Sequence, residues 1–337
     1  MAHQVFCVDK LKEFRMAGAN DLIELLPVSG NNALYLPKWL VETLVYAIVR
    51  HEFIHLSGPT GSAKSSLLEA LSLVPENFRA ICRAQGYREL PLRVFPIEMA
   101  TYEAPGELFQ RRALKNGTTY DETSKLVNAI EEAAKIRGDY YVMIWLREMG
   151  RVHSSSVQGG LLNLMTKSDI VLPDGRHLDG QGIAWAADSN YQAEQDSTHT
   201  LVTFDDALRR RFSVNLTMDY LSAEQEAQIL GRLVEQMHIG QGGDGLIAKV
   251  VKLGNVIRRH RAEGNLQSVA PPTIYGYLAF LRMIQSLTHL TPQQAAMATL
   301  LGNASRDDQK HVTGVLNEVF GLRAETGDDP TMGGNLF

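Results

Sequence analysis

Over the first two thirds of the chain, short apolar runs alternate with stretches of helical period, and beyond position 220 only the helical period remains. Pro37 opens a pattern at 38–50 that puts Leu40, Val41, Leu44, Val45 and Ile48 on one face, which predicts an amphipathic helix. Phe53-Ile54-His55-Leu56 then reads as a strand. It runs into Ser57-Gly58-Pro59-Thr60-Gly61-Ser62-Ala63-Lys64-Ser65-Ser66, after which the helical pattern resumes through Leu73. Further strands are predicted at 92–97, 141–146, 183–187 and 212–216, with helices at 122–137 and 156–165 among them. Strands alternating with helices imply a parallel sheet covered on both faces, so the fold class is α/β with a three-layer core.

The second part reads as all-α, with helices at 222–237, 245–263, 272–287, 292–302 and 307–320. Ser222 with Gln225 has the form of a capping box. The expected organisation is a lead-in at 1–34 (with a short apolar helix or strand near 22–26), an α/β core at 35–218, a helical domain at 219–325 and a flexible Gly-, Asp- and Pro-rich tail at 326–337. No internal repeat or low-complexity block interrupts this order.

Composition narrows the function classes. The chain has 337 residues, 45% of them hydrophobic and 21% charged, an ordinary globular mix long enough for two domains. A net charge of −5 gives no general electrostatic case for nucleic acid. The basic run Arg258-Arg259-His260-Arg261 reads first as a solvated helix face and second as a DNA contact. Cys7 and Cys82 are too few for a disulfide framework and fit a reducing compartment. The start has no basic region followed by an apolar run, and no apolar run reaches the ~18 residues of a membrane span. The expectation is a cytoplasmic protein with no membrane contact.

Strand, glycine loop and helix follow one another at 53–73 in the order that cradles phosphate. Glycines let backbone N–H groups converge on the anion, and the following helix adds its positive N-terminal end. Gly58, Pro59, Thr60, Gly61, Ser62, Ala63, Lys64, Ser65 and Ser66 are the binding candidates. Lys64 is placed for the outer phosphates, and Ser65 for a Mg²⁺ carried by the nucleotide. The competing reading is a Gly/Ser turn that binds nothing. The usual pattern is Gly-x-x-x-x-Gly-Lys-Ser/Thr, and Ala63 stands where the second glycine belongs. A second string, His51-Glu52-Phe53-Ile54-His55, matches the His-Glu-x-x-His of zinc proteases, which requires a helix. In a strand, residues four apart lie roughly 13 Å from each other, too far to share one zinc.

The order of motifs from about Tyr35 to Leu230 resembles the MoxR, NorQ and dynein-related branch of AAA+ ATPases. Val142-Met143-Ile144-Trp145-Leu146 is similar to that family's Walker B strand, followed by Arg147-Glu148-Met149-Gly150-Arg151. Leu161-Leu162-Asn163-Leu164-Met165 resembles its Leu-Leu-x-x-Met helix. Val171-Leu172-Pro173-Asp174-Gly175-Arg176-His177-Leu178 resembles its hairpin, and Asp174-Gly175 is by itself a tight-turn pair. Ala187-Asp188-Ser189-Asn190 resembles the sensor strand with its terminal Asn. Asp206-Ala207-Leu208-Arg209-Arg210-Arg211-Phe212 resembles the segment with the arginine finger.

The resemblance implies an AAA+ P-loop NTPase core followed by an all-α lid, binding ATP and ADP at a subunit interface. It implies Glu148 as the group that polarises the attacking water, and Asn190 as the residue that positions that water or reads the γ-phosphate. Arg211, or Arg210 beside it, would be the finger donated by a neighbouring subunit. It further implies a homo-oligomeric ring of six subunits and a protein client, such as a von Willebrand factor A domain protein. The segment at 100–123 resembles this branch's helix-two insert. The plain readings are an ion pair of Glu148 with Arg147 or Arg151, a turn Asn at 190, a solvated basic run at 209–211 and a surface loop at 100–123. Three departures stand out: Ala63, Arg147 in place of the Walker B Asp, and no sensor Arg in Ala270-Pro271-Pro272-Thr273-Ile274-Tyr275, with Arg282 well inside the helix. The arginine inverts a charge beside a cation site, which puts Mg²⁺ and hydrolysis in question. The alternative function is a nucleotide-gated assembly scaffold.

Overall fold

A computed structural model describes residues 21–29, 32–115, 117–152, 155–166, 169–172, 175–190, 205–238, 245–302 and 304–321. The expected tail, the first twenty residues of the lead-in, and Pro173 and Asp174 of the hairpin turn lie outside the described residues. The chain forms two compact units, Met1–Tyr220 and Leu221–Phe337.

In the first unit, β1 (Leu22–Leu25) pairs antiparallel with β2 (Leu34–Pro37), which settles the 22–26 segment as strand. Next come α1 (Lys38–Val49), β3 (Phe53–Ser57), α2 (Lys64–Leu73), α3 (Pro75–Ala84) and β4 (Leu92–Glu98). A hairpin follows, β5 (Gln110–Lys115) with β6 (Thr118–Thr123), and then α4 (Lys125–Ile136), β7 (Tyr141–Arg147) and α5 (Ser155–Leu164). A second hairpin pairs β8 (Asp169–Val171) with β9 (His177–Asp179). The unit ends with β10 (Ile183–Ser189), the short α6 (Asp206–Arg209) and β11 (Val214–Thr217).

Five strands form one parallel sheet in the order β11-β3-β10-β7-β4. The pleat sends alternate side chains to opposite faces. Val142, Ile144 and Leu146 of β7 join Leu126, Val127 and Ile130 of α4 and Leu161 of α5 in one apolar cluster. Met143 and Trp145 join Leu44 of α1, Leu67 of α2 and Phe78 of α3 in the other. Both faces are therefore dry, which is why β7 and β10 read as unbroken apolar runs rather than alternating ones.

Three expectations shift. The helix expected at 122–137 begins later, because Glu122 and Thr123 belong to β6 and Ser124 caps α4 by accepting from the Val127 N–H. The strand expected at 212–216 is β11, which starts two residues later and ends one later. Helix α3 was not expected at all. Its Pro75 looks like a helix stop, but proline at the first helical position opens a helix, and Phe78, Ile81 and Cys82 fill the buried face behind it. Burial also pushes the Cys82 thiol up to about 12.

The second unit is helical: α7 (Ala223–Gln236), α8 (Leu246–Ala262), α9 (Ile274–Ser286), α10 (Pro292–Thr299) and α11 (Arg306–Phe320). Ser222 and Gln225 form the capping box on α7, and Thr291 with Gln294 forms another on α10. A Cβ on Gly254 would lie 1.8 Å from the Tyr277 hydroxyl, so only glycine lets α9 bring that ring against α8. Inside this unit Arg258 and Glu226 form a buried ion pair at 2.7 Å. Among the described residues, no helix of the chain is long and apolar enough to cross a membrane.

Candidate functional site

The site is built at the C-terminal edge of the parallel sheet, where β3 turns into α2. Gly58 follows the last residue of β3, and a Cβ there would sit 2.1 Å from the Met218 carbonyl oxygen, so the chain can turn only with glycine. Gly61 has φ +81°, and Ala63 has φ +68° and ψ +20°. Ala63 thus holds a left-handed conformation that glycine takes freely and that costs an L-residue about 1–2 kcal/mol. Ala63 is the N-cap of α2, which begins at Lys64 directly behind it.

Lys64 is buried, and its Nζ donates to the carbonyl oxygens of Gly58 (2.8 Å) and Pro59 (2.9 Å). The ammonium is therefore seated inside the loop rather than in solvent. The Tyr220 hydroxyl donates to the Thr60 carbonyl at 2.8 Å and ties the loop's tip to the end of the unit. A cavity of about 480 Å³ opens above the loop. Thr60 to Ser66 line one side, and the charged or amide side chains facing them include Arg147, Glu148, Arg151, Asp188, Asn190 and Arg209. Four cations against two carboxylates make this a cavity suited to an anion such as a phosphate chain.

Gly61, Ala63, Lys64, Ser65, Glu148 and Asn190, proposed from sequence, thus share one cavity. Arg210 and Arg211 do not line it; both are exposed, and Arg211 Nη1 donates to the Met165 carbonyl at 3.3 Å. Glu148 stands just past β7 with φ +53° and ψ +46°. Such a conformation in a non-glycine residue costs about 1–3 kcal/mol and gathers at functional sites. Its carboxylate accepts from Arg151 Nη1 at 3.1 Å, on the exposed side. Arg147 points the other way along the edge, with Nη1 2.8 Å from Glu98 Oε1 and its guanidinium 4.7 Å over the Trp145 ring.

Asp188, Arg209 and His55 also line the cavity, although the sequence reading gave them no part in it. Asp188, on β10, is 6% exposed. Its Oδ1 accepts from Trp145 Nε1 (2.6 Å) and from the Glu148 N–H (3.3 Å). Burial pushes its carboxyl above the usual range, opposed by those two hydrogen bonds and by the charges of Lys64 and Arg147. Arg209 lines the cavity from α6 in place of its two neighbours. His55 shares a hydrogen bond with Ser189 Oγ at 2.8 Å, and burial lowers its imidazole below the ordinary value. The signal for Asp188 and Arg209 was their motif context; the strand order that brings them to the loop is long-range. His51 sits in the turn before β3 with φ +55° and His55 within β3, so the His-Glu-x-x-His string spans a turn and a strand. Among the described residues, no three His, Cys, Asp or Glu side chains gather as a metal site.

Residues 54–212 match the family of AAA domains of the dynein-related subfamily. No curated protein matches the chain significantly. Among solved structures, the chain is similar to the Thermotoga maritima RuvB Holliday junction branch migration motor, with 12% identity over 83% of this chain and 70% of that one (TM-score 0.43). It is also similar to NtrX from Brucella abortus in complex with ADP, with 14% identity over 95% of this chain and 66% of that one (TM-score 0.46). The family match runs from β3 through the Gly58–Ser66 loop, β7 and β10 to Phe212, so the part of this chain that is similar to that family is the part that builds the cavity.

Proposed function

We propose that the chain binds ATP and ADP in the cavity above the Gly58–Ser66 loop and works as an oligomeric ATPase of MoxR type that remodels or activates a protein partner. The observation that carries this reading is Lys64, buried and anchored on the Gly58 and Pro59 carbonyls at the floor of a cation-rich cavity. Its charge is fixed where outer phosphates would lie, so binding requires little reorganisation. Glu148 is the group that would orient and polarise the attacking water, and Asn190 would place it. Arg211 or Arg210 would complete the site of an adjacent subunit, since neither lines its own chain's cavity. That requirement supports a homo-oligomer, and the proposal takes from the resemblance a six-membered ring, a cytoplasmic setting and a client such as a von Willebrand factor A domain protein.

Mg²⁺ bound with phosphates takes hard oxygen donors, commonly one or two carboxylates plus the phosphates themselves, and needs no acidic cluster. The cavity supplies the Ser65 hydroxyl and a carboxylate, so its donor set fits the ion. When bound, the ion would help neutralise the negative charge of the phosphates. The residues around it bind and orient: Lys64 holds the phosphate end, and Glu148 accepts the water's proton.

The scaffold reading draws on the Glu148–Arg151 ion pair and on the strain at Ala63. Steady-state phosphate release, with and without Mg²⁺ at several protein concentrations, separates the two. An ATPase releases phosphate only with Mg²⁺, more than linearly with protein, and Arg211→Ala and Glu148→Gln lower turnover by about 10²–10⁴-fold while ATP stays bound. Tight ATP binding with no release in the wild-type chain would establish the scaffold instead.

A further inference from the structure

Position 147 carries an arginine where an acid would normally face the metal, so the chain must either manage without a carboxylate or supply one from elsewhere. Leu146 is paired with Ala187, so Arg147 and Asp188 are the next neighbours along β7 and β10, on the same face of the sheet. Glu98 of β4 is paired with Arg147 on the other side. Glu98, Arg147 and Asp188 therefore form a row of alternating charge across three adjacent strands. The strand order places β10, not β7, beside β3. Asp188 is paired with Leu56, two residues before Gly58, so it lies one strand nearer to the phosphate loop than position 147 does.

The side-chain contacts point the same way. Arg147 is drawn along the edge by Glu98 and Trp145. Both hydrogen bonds that Asp188 accepts end on Oδ1. Its other oxygen accepts no hydrogen bond among the described residues and is not sealed from solvent, and the residue lines the cavity with Lys64 and Ser65. An accessible carboxylate oxygen at this point is a hard donor of the kind a nucleotide-bound divalent cation takes. If Asp188 served only to hold Trp145 and the Glu148 backbone, a neutral acceptor would do as well at a lower desolvation cost.

Resting on the nucleotide-site reading above, we propose that Asp188 is the carboxylate that faces the nucleotide's divalent cation, so that the acid has moved from the end of β7 to the neighbouring strand. Ser65 and the phosphate oxygens would be the other donors. The Trp145 indole and the Glu148 N–H orient the carboxylate through Oδ1, leaving Oδ2 for the cation or a water bound to it. One residue then couples the metal to the strained backbone of Glu148.

The test is Mn²⁺ binding by the full chain, read by electron paramagnetic resonance of the free ion at saturating ADP, beside ADP binding without metal. Asp188→Asn keeps the Oδ1 acceptor and removes the charge. We expect Mn²⁺ affinity to fall by about 10–100-fold. Metal-free ADP should bind as well as in the wild type or better, because a negative charge near the phosphates is gone. Equal Mn²⁺ affinity in variant and wild type, within twofold, overturns the proposal and leaves the nucleotide reading standing. Failure of the wild-type chain to bind ADP at all overturns both. If the variant does not fold, a crystal structure of the wild-type chain with Mg²⁺ and ADP decides: Asp188 on the cation or on a cation-bound water supports the assignment, and Asp188 turned away from it ends it.

Discussion

The two units each contain an arginine–glutamate pair with an aromatic ring under the guanidinium, and the pairs differ mainly in their access to water. In the α/β unit, Arg147 and Glu98 meet at 2.8 Å with side chains 33% and 49% exposed, over Trp145. In the helical unit, Arg258 and Glu226 meet at 2.7 Å with side chains 8% and 3% exposed, and Arg258 lies 5.7 Å from the Tyr277 ring. Arg258 also donates from Nε and Nη2 to the Pro272 carbonyl, fixing the segment that leads into α9. Identical chemistry thus has two consequences. In the buried pair, each charge depends on the other because water cannot replace it. In the half-exposed pair, water can replace either partner, so the arginine is free to exchange glutamate for another anion.

The sharpest way to break the comparison is to remove one acid from each pair. Glu226→Leu leaves a buried, uncompensated guanidinium, and we expect a loss of about 3–5 kcal/mol in the helical unit. The matching Glu98→Leu should cost less than about 1 kcal/mol. Urea unfolding followed by circular dichroism reads both, with the two units allowed separate transitions. Restoring stability in Glu226→Leu/Arg258→Met would confirm that the penalty is the orphaned charge and not lost packing. An equal loss from both single variants would erase the distinction.

Acid titration gives a smaller effect with a definite sign. Burial pushes the Glu226 carboxyl above its usual range, outweighing the Arg258 charge beside it. The native state then holds this proton more tightly than the unfolded chain does. Its contribution to stability is fully present below the unfolded value and is lost as pH rises through the folded one. Between those two values the helical unit should therefore gain stability on acidification, and Glu226→Gln should flatten that slope. A slope unchanged in the variant would assign the effect to other carboxylates.

Local signals made most of this architecture legible, and non-local pairing hid the rest. The phosphate loop was readable because its chemistry is confined to Gly58–Ser66 and its flanking strand and helix are contiguous. The apolar runs of β7 and β10 announced a sheet covered on both faces. Helix α3 was missed because a proline can end one helix or begin the next, and only the packing of Phe78 and Cys82 tells which. Asp188 was missed because its importance depends on β10 lying between β3 and β7, which no local pattern encodes. The left-handed backbone of Glu148 was equally invisible, since nothing in Arg147-Glu148-Met149 marks a turn. Arg147 was noticed as an inverted charge, but its neutralisation by Glu98 follows from pairing with β4.

That neutralisation supplies the finest test of the comparison. If Arg147 is exchangeable while Arg258 is locked, freeing Arg147 should be felt by a bound anion and hardly at all by the fold. Glu98→Gln removes the competing charge and keeps the side chain's size. Arg147 lines the cavity, so its field should then fall more fully on the phosphates. A gain of at most about 1 kcal/mol, or roughly fivefold in metal-free ADP affinity, is what an exposed pair can redistribute. Salt should suppress the gain, because the charges involved are solvent-accessible and the screening length falls to about 3 Å at 1 M. Calorimetric ADP titrations at low and high ionic strength would reveal both features. Tighter binding at low salt alone places Arg147 among the groups that address the phosphates. Affinity unchanged at either salt would mean that Trp145, and not Glu98, holds the guanidinium in place, and that the half-exposed pair is as fixed as the buried one.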